Sequence, residues 1–119
     1  MLIKDENMKK LKRTIQEGVP AKQITMLHLI ASPDPVLYQK VLIDPKRALG
    51  IINMSPWEGA IIAADLADKA APIEIKLVDR FKGVVFIQGD RDSVYTALDR
   101  VRRVFDSDYG YTVPSVTES

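Results

Sequence analysis

Few side chains in this 119-residue chain are of types that carry chemistry. The one histidine, His28, lies inside the apolar run QITMLHLI with no serine or cysteine partner identifiable beside it. A general base must reach the proton it removes, so His28 is expected to be a buried or edge residue satisfied by a hydrogen bond, and no catalytic role is assigned. Asp90 and Asp92 precede an apolar-periodic stretch, where carboxylates cap free amides and favour the positive end of a helix; that explains them better than a metal or acid/base pair. Gly89 followed by Asp90 is a strand-to-helix turn, with no GxGxxG or Walker-type loop around it. The chain has no cysteine, which excludes disulfides, a thiolate nucleophile, a CxxC redox pair and a zinc knuckle, and one histidine cannot build a His-rich metal cage. No catalytic, cofactor or metal set is expected.

Two other features stand out. Asp79, Arg80, Phe81, Lys82 and Gly83 would form a hairpin tip with two cations and an aromatic ring, a composition that fits a solvated turn and a binding loop equally well. Lys69 falls near the end of a helix, where spacing alone reads it as an exposed lysine favourable to the dipole.

The elements that would position these residues follow from periodicity. Gln23 to Ile30 reads as a buried strand closed by Ser32, Pro33, Asp34 and Pro35, with a short helix over Val36 to Leu42 capped by Asp34. IDPKR reads as a surface connection. A strand over Leu49 to Met54 leads to Ser55, Pro56, Trp57 and Glu58, the pattern of a capping box, and a helix to about Ala71 whose alanines allow close packing. IEIKLV alternates as a strand with one wet face, and Gly83 to Gln88 is its antiparallel hairpin partner. Asp90 caps a second helix with Val94, Ala97, Leu98, Val101, Val104 and Phe105 on one side and Arg91, Asp99, Arg100, Arg102 and Arg103 on the other. Tyr111 to Val113 is the expected last strand. From residue 49 the order is βαββαβ, so the fold class is α+β, a ferredoxin-like layered core with both helices on one face and an extra N-terminal strand.

At 13.3 kDa the chain suits a single domain, which leaves little room for a cofactor domain beside a substrate domain. Net charge is +1, too small to hold nucleic acid non-specifically. The charge is concentrated in residues 1–13, where Lys4, Lys9, Lys10, Lys12 and Arg13 outweigh Asp5 and Glu6 to give +3 and leave the remainder at −2. Without interleaved aromatics this arm reads as solvated rather than as a nucleic-acid or lipid tether. No apolar run nears the roughly 20 residues that span a bilayer, and a secretory-type apolar core is absent from residues 1–20, so no membrane partner and a cytoplasmic location are expected.

The strand from Gly50 to Met54, the run Asp65, Leu66, Ala67, Asp68, Lys69, Ala70, Ala71 with its D-x-x-x-K-A-A pattern, and the Gly89, Asp90 close resemble the bacterial microcompartment shell domain. In that family's ordinary order a strand ending H-I-I-A-R-P comes last; here His28 to Pro33 come first, so the chain resembles a circular permutation. With Ile15, Gln16, Glu17, Gly18, Val19, Pro20, Ala21, Lys22 and Gln23, the resemblance extends to the permuted hexameric shell proteins of ethanolamine and propanediol microcompartments, the EutS/PduU type, over about residues 14 to 117. After the basic arm at 1–13, which is longer than is usual in the family, it implies a segment at 14–22 forming a small parallel β-barrel over the central opening, and one permuted shell domain at 23–119. Gly18 replaces an aromatic residue of the barrel segment and Ala21 a glycine. Ser32 stands where unpermuted relatives have an edge arginine.

The resemblance further implies that Lys69 is the edge lysine meeting its symmetry mate where hexamers adjoin, and that Asp79 to Gly83 is the pore loop. The implied partners are a homohexamer, other shell hexamers, pentamers or trimers, and encapsulated enzymes, with no nucleic acid, no cofactor and no catalysis. The alternative is a ferredoxin-like regulatory or metabolite-binding module, its arm contacting RNA or a partner and a cleft beside Trp57 holding a metabolite. A small enzyme ranks below both, because a nucleophile and base are missing.

Overall fold

The structure is a computed structural model that describes residues 22–33, 43–44 and 46–119. Five strands, β1 (Gln23–Ile30), β2 (Ala48–Ser55), β3 (Glu74–Asp79), β4 (Val84–Gly89) and β5 (Thr117–Glu118), form one sheet in the order β3-β4-β2-β1-β5. Helices α1 (Gly59–Ala70) and α2 (Arg91–Ser107) touch each other and both pack on the sheet, so they share one face. All strand pairs are antiparallel except β1 with β5. This is the expected α+β, ferredoxin-like layering in permuted order: β1, from the start of the domain, fills the place beside β2 that the last strand of a βαββαβ chain would take.

One core lies between the layers. Ile24, Leu27 and Leu29 of β1, Ile52 and Met54 of β2, and Val85 and Ile87 of β4 meet Ala60, Ala63, Ala64 and Ala67 of α1 and Val94, Ala97, Leu98, Val101 and Phe105 of α2. Ile24 and Leu27 share a face although three residues apart, because a register shift between Ile24 and Met26 inserts Thr25 as a bulge residue, its Oγ1 donating to the Asn53 carbonyl at 3.1 Å. Completely buried alanines bring α1 close to the sheet, while α2 inserts larger side chains. Burying Phe105 fully contributes about 1.5–3 kcal/mol from area alone.

Several local expectations are corrected. Ser55 does not cap α1: it is still paired with Gln23 in the sheet, Glu58 occupies the cap position with no side-chain cap hydrogen bond, and turn bonds from Gly59 N to Pro56 O and Ala60 N to Trp57 O start the helix. β3 does not keep a clean wet face, because a register shift between Ile75 and Leu77 flips its alternation and leaves Leu77 and Val78 exposed. Tyr111 to Val113 is not a strand; Thr112 makes one isolated parallel bridge to Gln23, and the final strand is β5. Ile43, within the expected surface connection, is buried. Asp90 does cap α2 as expected, its Oδ1 accepting from Ser93 N at 2.9 Å. The helix over 36–42 and the segment at 14–22 with its extra N-terminal strand, including Ile15, Gln16, Glu17, Gly18 and Val19, lie outside the described residues except for Lys22.

Candidate functional site

Lys69 occupies the last turn of α1, where a cation offsets the free carbonyls of the helix end. Its side chain is 72% exposed and its ammonium lies 2.9 Å from Asp65 Oδ2, one turn earlier. The hydrogen bond and charge of Asp65, with a smaller contribution from Asp68, raise its pKa, so Lys69 stays charged at neutral pH. Asp65 and Lys69, the two polar ends of the D-x-x-x-K pattern, are thus one exposed pair at i, i+4.

Asp79 to Gly83 form the tip between β3 and β4, and this turn is highly ordered by its own bonds. Asp79 Oδ1 accepts from the amides of Phe81 at 3.0 Å and Lys82 at 3.1 Å, and Gly83 N donates to the Asp79 carbonyl at 2.8 Å. Gly83 has φ +70, and its carbonyl accepts from Met54 N at 2.9 Å, which ties the tip to the end of β2. A Cβ there would lie 2.1 Å from the Met54 carbonyl oxygen. Phe81 is 76% exposed, with the Arg80 guanidinium 5.3 Å from its centroid and the Trp57 ring centroid at 6.4 Å. The Asp79 carboxylate is engaged by backbone amides, while Arg80 and Lys82 form no ion pair among the described residues, so the tip presents cations and an aromatic ring.

Several other polar groups are structural. His28 is half-buried, with Nδ1 2.6 Å from Thr117 Oγ1 and Nε2 2.8 Å from Ser119 Oγ, so both ring nitrogens are occupied by the C-terminal strand. Arg91 holds Glu118 through two donors, which lowers the Glu118 pKa and raises its own. Asp92 accepts from Arg91 at 3.0 Å, and Asp90 has its pKa lowered by the bonds from Ser93. Sequence reasoning missed Gln88, which is fully buried yet satisfied: Oε1 accepts from Asp44 N at 2.8 Å, and Nε2 donates to the carbonyls of Asp44 and Arg47. A polar residue in an otherwise apolar strand was the available signal. Among the described residues no group of three His, Cys, Asp or Glu is placed to hold a metal, and no helix is long and apolar enough to cross a membrane.

Lys69 and the tip therefore stand apart as two exposed, organised cationic features on a scaffold whose other polar groups hold the fold. Neither brings together a nucleophile and a base; both present exposed charge at the surface. Residues 48–117 match the family model of the BMC domain, and the chain belongs to the bacterial microcompartment shell proteins. It is 44% identical over 114 residues to the bacterial microcompartment shell protein CutR of Streptococcus intermedius, covering 96% of this chain and 98% of that protein. It is 43% identical over 108 residues to the shell protein PduU of Salmonella typhimurium, covering 90% and 93%. Among solved structures, a flat hexamer of CutR matches with a TM-score of 0.85 at 43% identity over 87% of this chain and 96% of that one. The chain is a structural shell protein, as its D-x-x-x-K-A-A pattern implies.

Proposed function

We propose that this chain closes a cyclic hexamer that tiles edge to edge into the cytoplasmic shell around encapsulated enzymes, alongside other shell hexamers, pentamers or trimers. The match to a flat hexamer over 87% of the chain carries this reading. An exposed Lys69 at the end of α1 fits an edge contact, since its stem can pack while its charge reaches a carbonyl or carboxylate of the next tile. In this reading Asp79 to Gly83 line the central opening. Arg80 and Lys82, repeated six times, make a cationic ring that favours small anions. Residues 14–22, outside the described part but for Lys22, supply the β-barrel over that opening.

The test is light scattering combined with electron microscopy of the full chain. A particle of six times 13.3 kDa and two-dimensional sheets are expected, with Lys69→Ala keeping the hexamer and losing the sheets. A persistent monomer, or sheets indifferent to Lys69→Ala, overturns the reading.

A further inference from the structure

Where α1 ends beside α2, the seam opens into a cleft of about 370 Å3 lined by Lys69, Ala70, Thr96, Asp99, Arg100 and Arg103. Its charges are unequally partnered. Asp99, only 16% exposed, accepts from Arg102 Nη2 at 2.9 Å and Arg103 Nη2 at 2.7 Å, and Lys69 is paired with Asp65. Arg100 is exposed and forms neither a hydrogen bond nor an ion pair among the described residues. Next to Lys69 in the sequence, Asp68 is also exposed and without an ion pair among the described residues, though its charge reaches the Lys69 ammonium. A free carboxylate and a free guanidinium thus lie near the same lysine on neighbouring helices.

A patch of this kind is self-complementary. Under a two-fold axis residue i of one copy meets residue j of the other, and j meets i, so an anion and a cation on opposite sides of the axis are brought together twice. We propose that the occupant of this cleft is a second copy of the chain, with Asp68 of each copy pairing with Arg100 of the other across an isologous edge at Lys69. The inference rests on the reading of Lys69 as an edge residue and deepens it by naming the pair that sets register. Guanidinium and carboxylate suit each other in two-point contact, and Asp65 at 2.9 Å offsets the repulsion between facing lysines. One exposed pair adds little by itself, but a tile repeats it at every edge, so a small preference is multiplied into a defined lattice.

Electron microscopy and light scattering of the full chain and three variants test this. Arg100→Glu and Asp68→Arg should each keep the hexamer and raise the concentration needed for sheets by about ten-fold or more, the equivalent of losing roughly 1.4 kcal/mol. The double variant D68R/R100E should restore sheets, and wild-type sheets should disperse near 1 M salt, where screening acts within about 3 Å. Sheets at unchanged concentration in both single variants, or no recovery in the double, overturn the pairing while leaving a Lys69-dependent tiling intact. Hexamers that form no sheets even as wild type overturn both. If a charge reversal disturbs the hexamer, Arg100→Gln and Asp68→Asn carry the same expectation in smaller steps.

Discussion

At Gly83 two demands coincide. Its φ of +70 lies in the left-handed region that a Cβ disfavours, and the space a Cβ would fill is 2.1 Å from the Met54 carbonyl oxygen. Gly110 shares φ +70 but has nothing within 4 Å of an added Cβ. The pair separates backbone strain from close approach. Gly110→Ala should cost about 1 kcal/mol, the left-handed penalty alone. Gly83→Ala should cost about 3 kcal/mol or more, because the tip must also move off β2 and lose the bond from Met54 N. Urea unfolding at matched protein concentration measures both, and equal losses would show that the contact with β2 does not hold the tip. Gln88 makes a similar point in the core: it is tolerated there because Asp44 and Arg47 satisfy its amide.

Among the elements, the C-terminal segment behaves least like its sequence. Thr112 bridges Gln23, and Thr117 pairs with His28; both pairs are 89 residues apart, so the tail follows the edge of β1 in one constant parallel register. Pro114 lies between the two contacts and has no amide to donate, which leaves the ladder open in the middle. The far end is latched by Ser119 N to Leu29 O at 2.9 Å, Ala31 N to Ser119 O at 3.2 Å and the Arg91–Glu118 pair. Because the Glu118 pKa is lowered in the fold, its contribution is fully present above the ordinary glutamate range and disappears as pH falls through the lowered value. Glu118→Gln should therefore speed hydrogen exchange at the Ala31 and Ser119 amides at neutral pH, while leaving the Ile24 amide, bonded to Thr112 O, nearly unchanged. Acidified wild type should approach the variant; equal exchange at neutral pH would show that Arg91 does not latch the strand.

For the whole molecule, the proposed ring of tips around a central opening makes a prediction about passage. The tip is pre-shaped by Asp79 and Gly83, so its charge can be altered without refolding it. Replacing Arg80 and Lys82 with glutamine should leave hexamers and sheets intact and slow the passage of a small anion relative to a neutral solute of similar size, measured with closed shells or sheet-supported membranes. Unchanged relative passage would mean that these cations do not line the route.

Much of this was legible in the amino-acid order. Helical periodicity from Val94 to Phe105, the Asp90 cap and the hairpin around Asp79 to Gly83 depend on neighbours a few residues away, and all stand as read. The D-x-x-x-K-A-A pattern and the early position of the His28 strand carried the family and its permuted order. What sequence could not supply were the effects of distant partners. Ser55 looked like a helix cap but is held by Gln23 across the sheet, Tyr111 to Val113 looked like a strand but makes one bridge, and two register shifts set which residues face water. Arg100, by contrast, is left over by local pairing, since Asp99 takes Arg102 and Arg103 at i, i+3 and i, i+4 on its own helix. Local chemistry determined which elements form; tertiary packing decided where they end and which residues face water, because those outcomes depend on residues far apart in the chain.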